Sequence, residues 1–86
     1  MMTPAFVEFL GTGLLVGAVA FGGPLMIVAA LAVAIALGGR ISGGHFNPAI
    51  TLFTWMTGKM SRSRAIAYVI AQSAGALGIA LLHHVL

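Results

Sequence analysis

Residues 41–52 have the sequence ISGGHFNPAITL, which joins a glycine-rich segment to the start of a helix. Asn is a strong helix N-cap and Pro suits the first helical position, so a helix is predicted to begin at Pro48 after an Asn47 cap. The glycines at 38–39 and 43–44 are expected not to sustain a helix. At membrane depth, irregular backbone persists only where protein or water satisfies its polar groups, so the segment indicates a water-filled path.

The composition is that of a membrane protein. Of 86 residues, 60% are hydrophobic and 6% charged, and the mean hydropathy is +1.13. The net charge of +3 comes from four cations and one acid; these cations are too few for nucleic-acid binding and fit topology signals better. Cysteine is absent, which excludes disulfides. Because no basic region precedes the first apolar run, we expect that run to stay in the membrane rather than to be a cleaved signal.

The apolar runs predict a single membrane domain over residues 1–86. A turn is needed at 22–24, because one helix over residues 5–39 would be about 52 Å long, against an apolar core of about 30 Å. Thr3 and Ser61 are the expected caps of the first and last helices. The expected order is a helix at about 4–21, a helix at about 24–38, a pore loop at about 40–47, a half-helix at about 48–57 and a helix at about 62–86.

The segment 48–57 is too short to cross a membrane. It makes about 15 Å of helix, half of a bilayer core, and its apolar residues leave little polar face for lying flat on the surface. Trp55 and Tyr68 flank the basic stretch that follows, where interfacial aromatic side chains are common. The predicted fold is an all-α integral membrane protein with three transmembrane helices plus one re-entrant half-helix.

Three motifs resemble one repeat of the aquaporin and aquaglyceroporin family, the major intrinsic proteins. Residues 8–12 (EFLGT) resemble the first-helix motif, and residues 42–51 resemble the first pore loop. Residues 68–72 (YVIAQ), followed by Gly75, resemble the third helix. The tripeptide NPA alone is a weak signal, but the three motifs agree in order and spacing over nearly the whole chain.

Family members normally carry two such repeats of opposite topology, whereas this sequence contains one. Three spans and one half-helix do not enclose a pore, and the loop would present polar backbone to lipid. The resemblance therefore implies a half-channel, completed by an inverted second copy or by a different, complementary half. We favour the inverted homodimer narrowly, with four such pores together as a further expectation.

The resemblance also assigns pore residues. The NPA residues Asn47, Pro48 and Ala49 would face those of the second half at the midplane, where the half-helix dipoles disfavour cations. Backbone carbonyls would form a ladder of hydrogen-bond acceptors toward one pore mouth. The ladder residues are Gly43, Gly44, His45 and Phe46.

Glu8 is the only carboxylate side chain and lies in the first span. A buried acid in a membrane helix is a functional-site hypothesis by default. The resemblance assigns Glu8 to bracing the pore loop; Gln72 is either a second brace or an interhelical hydrogen-bonding residue. The alternative is a small dual-topology proton-coupled antiporter that uses Glu8, and a further alternative is a hole-forming or structural membrane protein. We expect no enzyme activity, no cofactor and no metal site; His83 and His84 are assigned to the membrane exit.

The family's selectivity-filter positions fall on Ile27, Ile35, Gly44 and Ile50. No Arg, His or aromatic residue occupies any of them, so an apolar constriction is expected. Water and other small neutral solutes are both candidates for the transported solute.

The four basic side chains, together with the N-terminus, are predicted on one side of the membrane. The positive-inside rule then places that side in the cytoplasm. An inverted homodimer requires its second copy to insert against this bias. The four residues are Arg40, Lys59, Arg62 and Arg64.

Overall fold

The computed structural model describes residues 2–86 as four α-helices with short connections. The helices are α1 (Pro4–Phe21), α2 (Pro24–Ser42), α3 (Pro48–Met56) and α4 (Arg62–Val85). α1 packs against both α2 and α4, and the short α3 packs against α4. α1, α2 and α4 are each long and apolar enough to cross a membrane. The predicted all-α fold with three spans and one half-helix is confirmed.

The helix starts follow the capping pattern of the sequence. Thr3 Oγ1 accepts a hydrogen bond from the Phe6 N–H at 3.2 Å, and Ser61 Oγ accepts one from the Arg64 N–H at 3.2 Å. Gly22 caps the end of α1, and Pro24 opens α2. The predicted turn between the first two helices is thus confirmed.

α2 continues past its predicted end, which corrects the sequence prediction. The helix runs through Gly38 and Gly39 to Ser42 instead of ending at about 38, so the irregular loop covers 43–47 and not 40–47. Gly38 is buried against α1, where a Cβ would come within 2.5 Å of Val7 Cγ1. This close packing of α1 on α2 outweighs the low helix propensity of glycine, which is about 1 kcal/mol relative to Ala.

α3 has nine residues, about 13 Å of helix, less than half of a bilayer core of about 30 Å. It ends at Met56, one residue before the predicted end. A Schellman turn follows, in which the Gly58 N–H donates to the Trp55 carbonyl and the Lys59 N–H to the Thr54 carbonyl, both at 3.0 Å. Gly58 has φ +78°, a left-handed conformation that favours glycine.

The buried core is small. Val7, Ala34 and Phe46 form its apolar centre, and Leu15 packs against it. Most other large apolar side chains of the described residues lie on the surface, among them Leu25, Leu37 and Phe53. Apolar surface of this extent requires lipid or further membrane-embedded protein around it.

Candidate functional site

Glu8 of α1 is 0% exposed and bonds to the backbone of the loop 43–47. Its Oε2 accepts a hydrogen bond from the His45 N–H at 3.1 Å, and its Oε1 accepts one from the Phe46 N–H at 2.7 Å. An ionised carboxylate has two oxygens and no donor, so it suits two consecutive backbone N–H groups. Glu8 therefore lies where the family resemblance places it, against the loop.

Two more side chains bond to Glu8. Ser42 Oγ donates to Oε2 at 2.7 Å, and Gln72 Nε2 donates to Oε1 at 2.8 Å. Ser42 Oγ in turn accepts the Gly44 N–H at 3.2 Å. Gln72 thus reaches the loop through Glu8, and the carboxylate joins α1, α2, α4 and the loop in one buried network.

Thr51 extends this network into α3. Its Oγ1 accepts a hydrogen bond from Gln72 Nε2 at 2.8 Å and lies 2.8 Å from His45 Nδ1. The His45 side chain is therefore engaged within the protein, which favours a structural role over pore lining for its ring. Thr51 is fully buried, although it lies in the first turn of a largely exposed helix.

Tyr68 corrects one expectation of the sequence analysis. It was assigned to the membrane interface beside Trp55, but it is buried, and its hydroxyl donates to the Ser42 carbonyl at 2.6 Å. Its ring meets the His45 ring edge-on, with 5.1 Å between centroids. Ser42, Thr51 and Tyr68 belong to the site, although the sequence did not predict them as site residues. A signal existed, because Tyr68 stands four residues before Gln72 and so shares a face of α4 with it.

Phe46 anchors the loop in the core. It is 2% exposed, and it is the only non-glycine residue in the described part of the chain with positive φ, at +53°. Its ring lies directly over Gly11 of α1, where a Cβ would collide with it. A left-handed conformation costs a non-glycine residue about 1–2 kcal/mol, so the burial of this ring must hold the backbone in place.

The loop divides its backbone polar groups between two environments. The N–H groups of residues 43–46 all donate to protein: to the Gly39 carbonyl, to Ser42 Oγ and to the two Glu8 oxygens. The carbonyls of the same four residues accept no hydrogen bond from any group within residues 2–86. Unsatisfied carbonyls are costly in lipid, so these acceptors require either further protein donors or a water-filled path beside them.

Asn47 caps α3, and Pro48 is its first residue, so the predicted helix start is confirmed. Asn47 Oδ1 accepts the Ala49 N–H at 2.8 Å, whereas its Nδ2 donates to no group of the described residues. The NPA residues 47–49 are all exposed. The N-terminus of α3, with its partial positive charge, therefore opens beside the free carbonyls.

The four positions predicted for the selectivity filter do not form one group in this chain. Ile35 and Gly44 lie together, because a Cβ on Gly44 would be 3.5 Å from Ile35 Cγ1. Ile50 is exposed in the first turn of α3. Ile27 lies two turns before Ile35 on α2, about 12 Å along the helix axis. Across residues 2–86, no cluster of three His, Cys, Asp or Glu side chains is placed to hold a metal ion.

Comparisons with known proteins bear on this site. The model of the family described as Major intrinsic protein matches residues 6–86. The chain is 43% identical to Aquaglyceroporin AqpS of Rhizobium meliloti (strain 1021), over 88% of the chain and 40% of the relative. It is 45% identical to Propanediol uptake facilitator PduF of Salmonella typhimurium (strain LT2), over 65% of the chain and 21% of the relative. It is 41% identical to Aquaporin Z of Brucella melitensis biotype 1, over 100% of the chain and 35% of the relative.

In each of these alignments, the chain spans at most 40% of the length of the relative. The comparison with solved structures gave no significant match.

Proposed function

The chain belongs to the major intrinsic protein family, and on that premise we propose that it supplies one half of a transmembrane channel for water or small neutral solutes. The observation that carries this proposal is the division of the loop backbone. The N–H groups of residues 43–46 are bonded to protein, while their carbonyls accept nothing within the described chain. Such a row of carbonyls can replace the hydrogen bonds that a solute gives up on leaving bulk water.

Selection against ions follows from α3. Its N-terminus carries a partial positive charge of about half an elementary charge, which disfavours cations at the end of the carbonyl row. Asn47 keeps Nδ2 free for the oxygen of a neutral solute, because its Oδ1 is occupied by the Ala49 N–H. Water, diols and small polyols present the hydroxyl groups that fit a donor followed by a row of acceptors.

An inverted second half would close the path. Within these 86 residues there is one Asn-Pro-Ala tripeptide, and one half-helix leaves the free carbonyls open on one side. A second copy, related by an axis in the membrane plane, would bring two Asn47 side chains together at the midplane. A complementary half of different sequence is the other way to complete the channel.

The filter residues would select by size and apolar contact. Ile27, Ile35 and Ile50 offer no charge and no hydrogen bond, and Gly44 adds no side chain. Two of the relatives are named for different solutes, an aquaporin and a propanediol uptake facilitator. We propose that small neutral diols or polyols pass at least as readily as water.

Stopped-flow swelling of protein-containing vesicles under gradients of water, glycerol and propanediol tests the channel. The protein is expected to raise at least one of these permeabilities above that of empty vesicles without raising proton leak. Asn47→Asp preserves the helix cap but places a carboxylate at the midplane, so it should reduce flux more than Asn47→Ala does. Permeabilities equal to those of empty vesicles for all three solutes would refute a channel formed by copies of this chain alone.

Labelling from the two sides of the membrane tests the pairing. The chain contains no cysteine, so one Cys added after Leu86 reports orientation without background. Labelling of separate populations from both sides supports the inverted homodimer. Labelling from the outside alone, the result expected from the positive-inside rule, would point to a complementary half instead.

A further inference from the structure

We propose that a basic cavity at the loop end of the bundle binds a phosphate-bearing anion, either the headgroup of an anionic phospholipid or free phosphate. The cavity has a volume of about 310 Å³ and lies between the end of α2, the loop residues Gly43 and His45, the turn after α3 and the start of α4. This volume is several times the roughly 30 Å³ that one water molecule occupies in the liquid. The cationic side chains that line it and can bind an anion belong to Arg40, Lys59 and Arg64.

The charge of this cavity is unbalanced. Three of the four Lys and Arg side chains of the sequence line it. Glu8, the one acidic side chain, is fully buried, and both of its carboxylate oxygens accept hydrogen bonds from the loop. An anion between cations that line one cavity lowers their mutual repulsion, and guanidinium groups bind phosphate oxygens in pairs.

The three cations come from different elements that the fold holds in place. Arg40 lies in the last turn of α2, and Lys59 follows the Schellman turn that ends α3. Arg64 lies in the first turn of α4, whose N-terminus adds a partial positive charge. A favourable interaction with the helix dipole accounts for the position of Arg40 at the end of α2. The positive-inside rule accounts for each cation lying at this end of the bundle. Neither explains why all three line one cavity.

A lipid headgroup is within reach of this cavity because it lies at one end of the membrane-spanning helices. In the orientation that the positive-inside rule favours, that end lies in the cytoplasmic leaflet, which is rich in anionic lipid. The proposal does not depend on channel activity, so the two can fail separately.

The test is thermal unfolding of the full chain in neutral detergent, followed by circular dichroism. Phosphatidylglycerol, phosphatidylcholine and inorganic phosphate are added in separate arms. The variants Arg40→Gln, Lys59→Gln and Arg64→Gln each remove one cation from the cavity, and all three side chains are exposed, so the fold should persist. Arg62→Gln is the matched control, because Arg62 lines a different cavity between α3 and α4.

Phosphatidylglycerol or inorganic phosphate should raise the Tm of the wild type and of Arg62→Gln above the value in phosphatidylcholine. Each of the three cavity variants should lose most of that rise. A rise with phosphatidylglycerol alone identifies a headgroup, and a rise with inorganic phosphate identifies the free anion. An equal loss in Arg62→Gln would show general surface attraction and overturn the proposal, as would the absence of any rise in both arms.

Discussion

The two ends of the helix bundle are held in different ways. At the loop end, buried polar side chains from α1, α2, α3 and α4 form one hydrogen-bonded network around Glu8. Toward the α1–α2 turn, α1, α2 and α4 line an open apolar groove of about 790 Å³. Small residues line much of this groove, including Gly13, Gly17 and Gly78. Hydrogen bonds between side chains of the protein hold the loop end, whereas the apolar groove at the other end has few such bonds. Substitutions should therefore lower the free energy of unfolding far more at the loop end.

Glu8→Gln should have the largest effect. Glutamine keeps one acceptor oxygen and replaces the other with an amide N–H₂, so the two donors bonded to the replaced oxygen lose their acceptor. We expect a loss of roughly 2–6 kcal/mol in the free energy of unfolding, at about 1–3 kcal/mol for each of the two unsatisfied donors. Chemical denaturation in detergent measures this loss.

The same variant separates the brace from the proton-coupled antiporter. A proton-carrying acid would allow Glu8→Gln to fold normally and to lose only pH-driven flux. Near-wild-type stability of Glu8→Gln would therefore count against the brace.

Two glycines on α1 give the next comparison. A Cβ on Gly11 would collide with the Phe46 ring, whereas a Cβ on Gly13 meets nothing within 4 Å. Gly11→Ala should therefore cost about 1–3 kcal/mol through overpacking. Gly13→Ala should be neutral or stabilising by up to about 1 kcal/mol, because Ala favours helix. Unfolding of both variants in detergent checks this, and an equal response would mean that Phe46 does not anchor the loop as described.

Two buried threonines give a finer comparison. Thr51 Oγ1 bonds with both Gln72 and His45, whereas Thr12 Oγ1 has no partner within residues 2–86. Valine has nearly the same shape, so Thr51→Val should cost about 0.5–2 kcal/mol, in the range of single hydrogen bonds inside membrane proteins. Thr12→Val should be neutral or stabilising. A larger loss from Thr12→Val than from Thr51→Val would reverse the assignment of the network.

The local features of this fold could be predicted from the sequence. The caps Thr3, Asn47 and Ser61 and the turn before Pro24 depend on neighbouring residues alone, and each lies where the sequence indicates. The position of Glu8 against the loop came from the family resemblance and not from local pattern.

The features that the sequence did not predict depend on contacts between residues far apart in the chain. Gly38 stays helical because Val7 of another helix lies against it, and no local rule contains that contact. Tyr68 turns inward because the Ser42 carbonyl, 26 positions away in the chain, accepts its hydroxyl. The polar partners of a loop become visible only once the helices that carry them are placed side by side.

The most direct test of the central claim compares two single-cysteine variants, Ile50→Cys and Leu77→Cys, in membranes. The two side chains are about equally exposed in the chain by itself, at 48% for Ile50 and 60% for Leu77. Ile50 lies one turn after Asn47, next to the loop, while Leu77 lies in the second half of α4. If a water-filled path runs along the loop, a small hydrophilic thiol reagent should label Ile50→Cys much faster than Leu77→Cys. Equal and slow labelling of both would place the surface beside Asn47 against lipid or dry protein and would contradict the account.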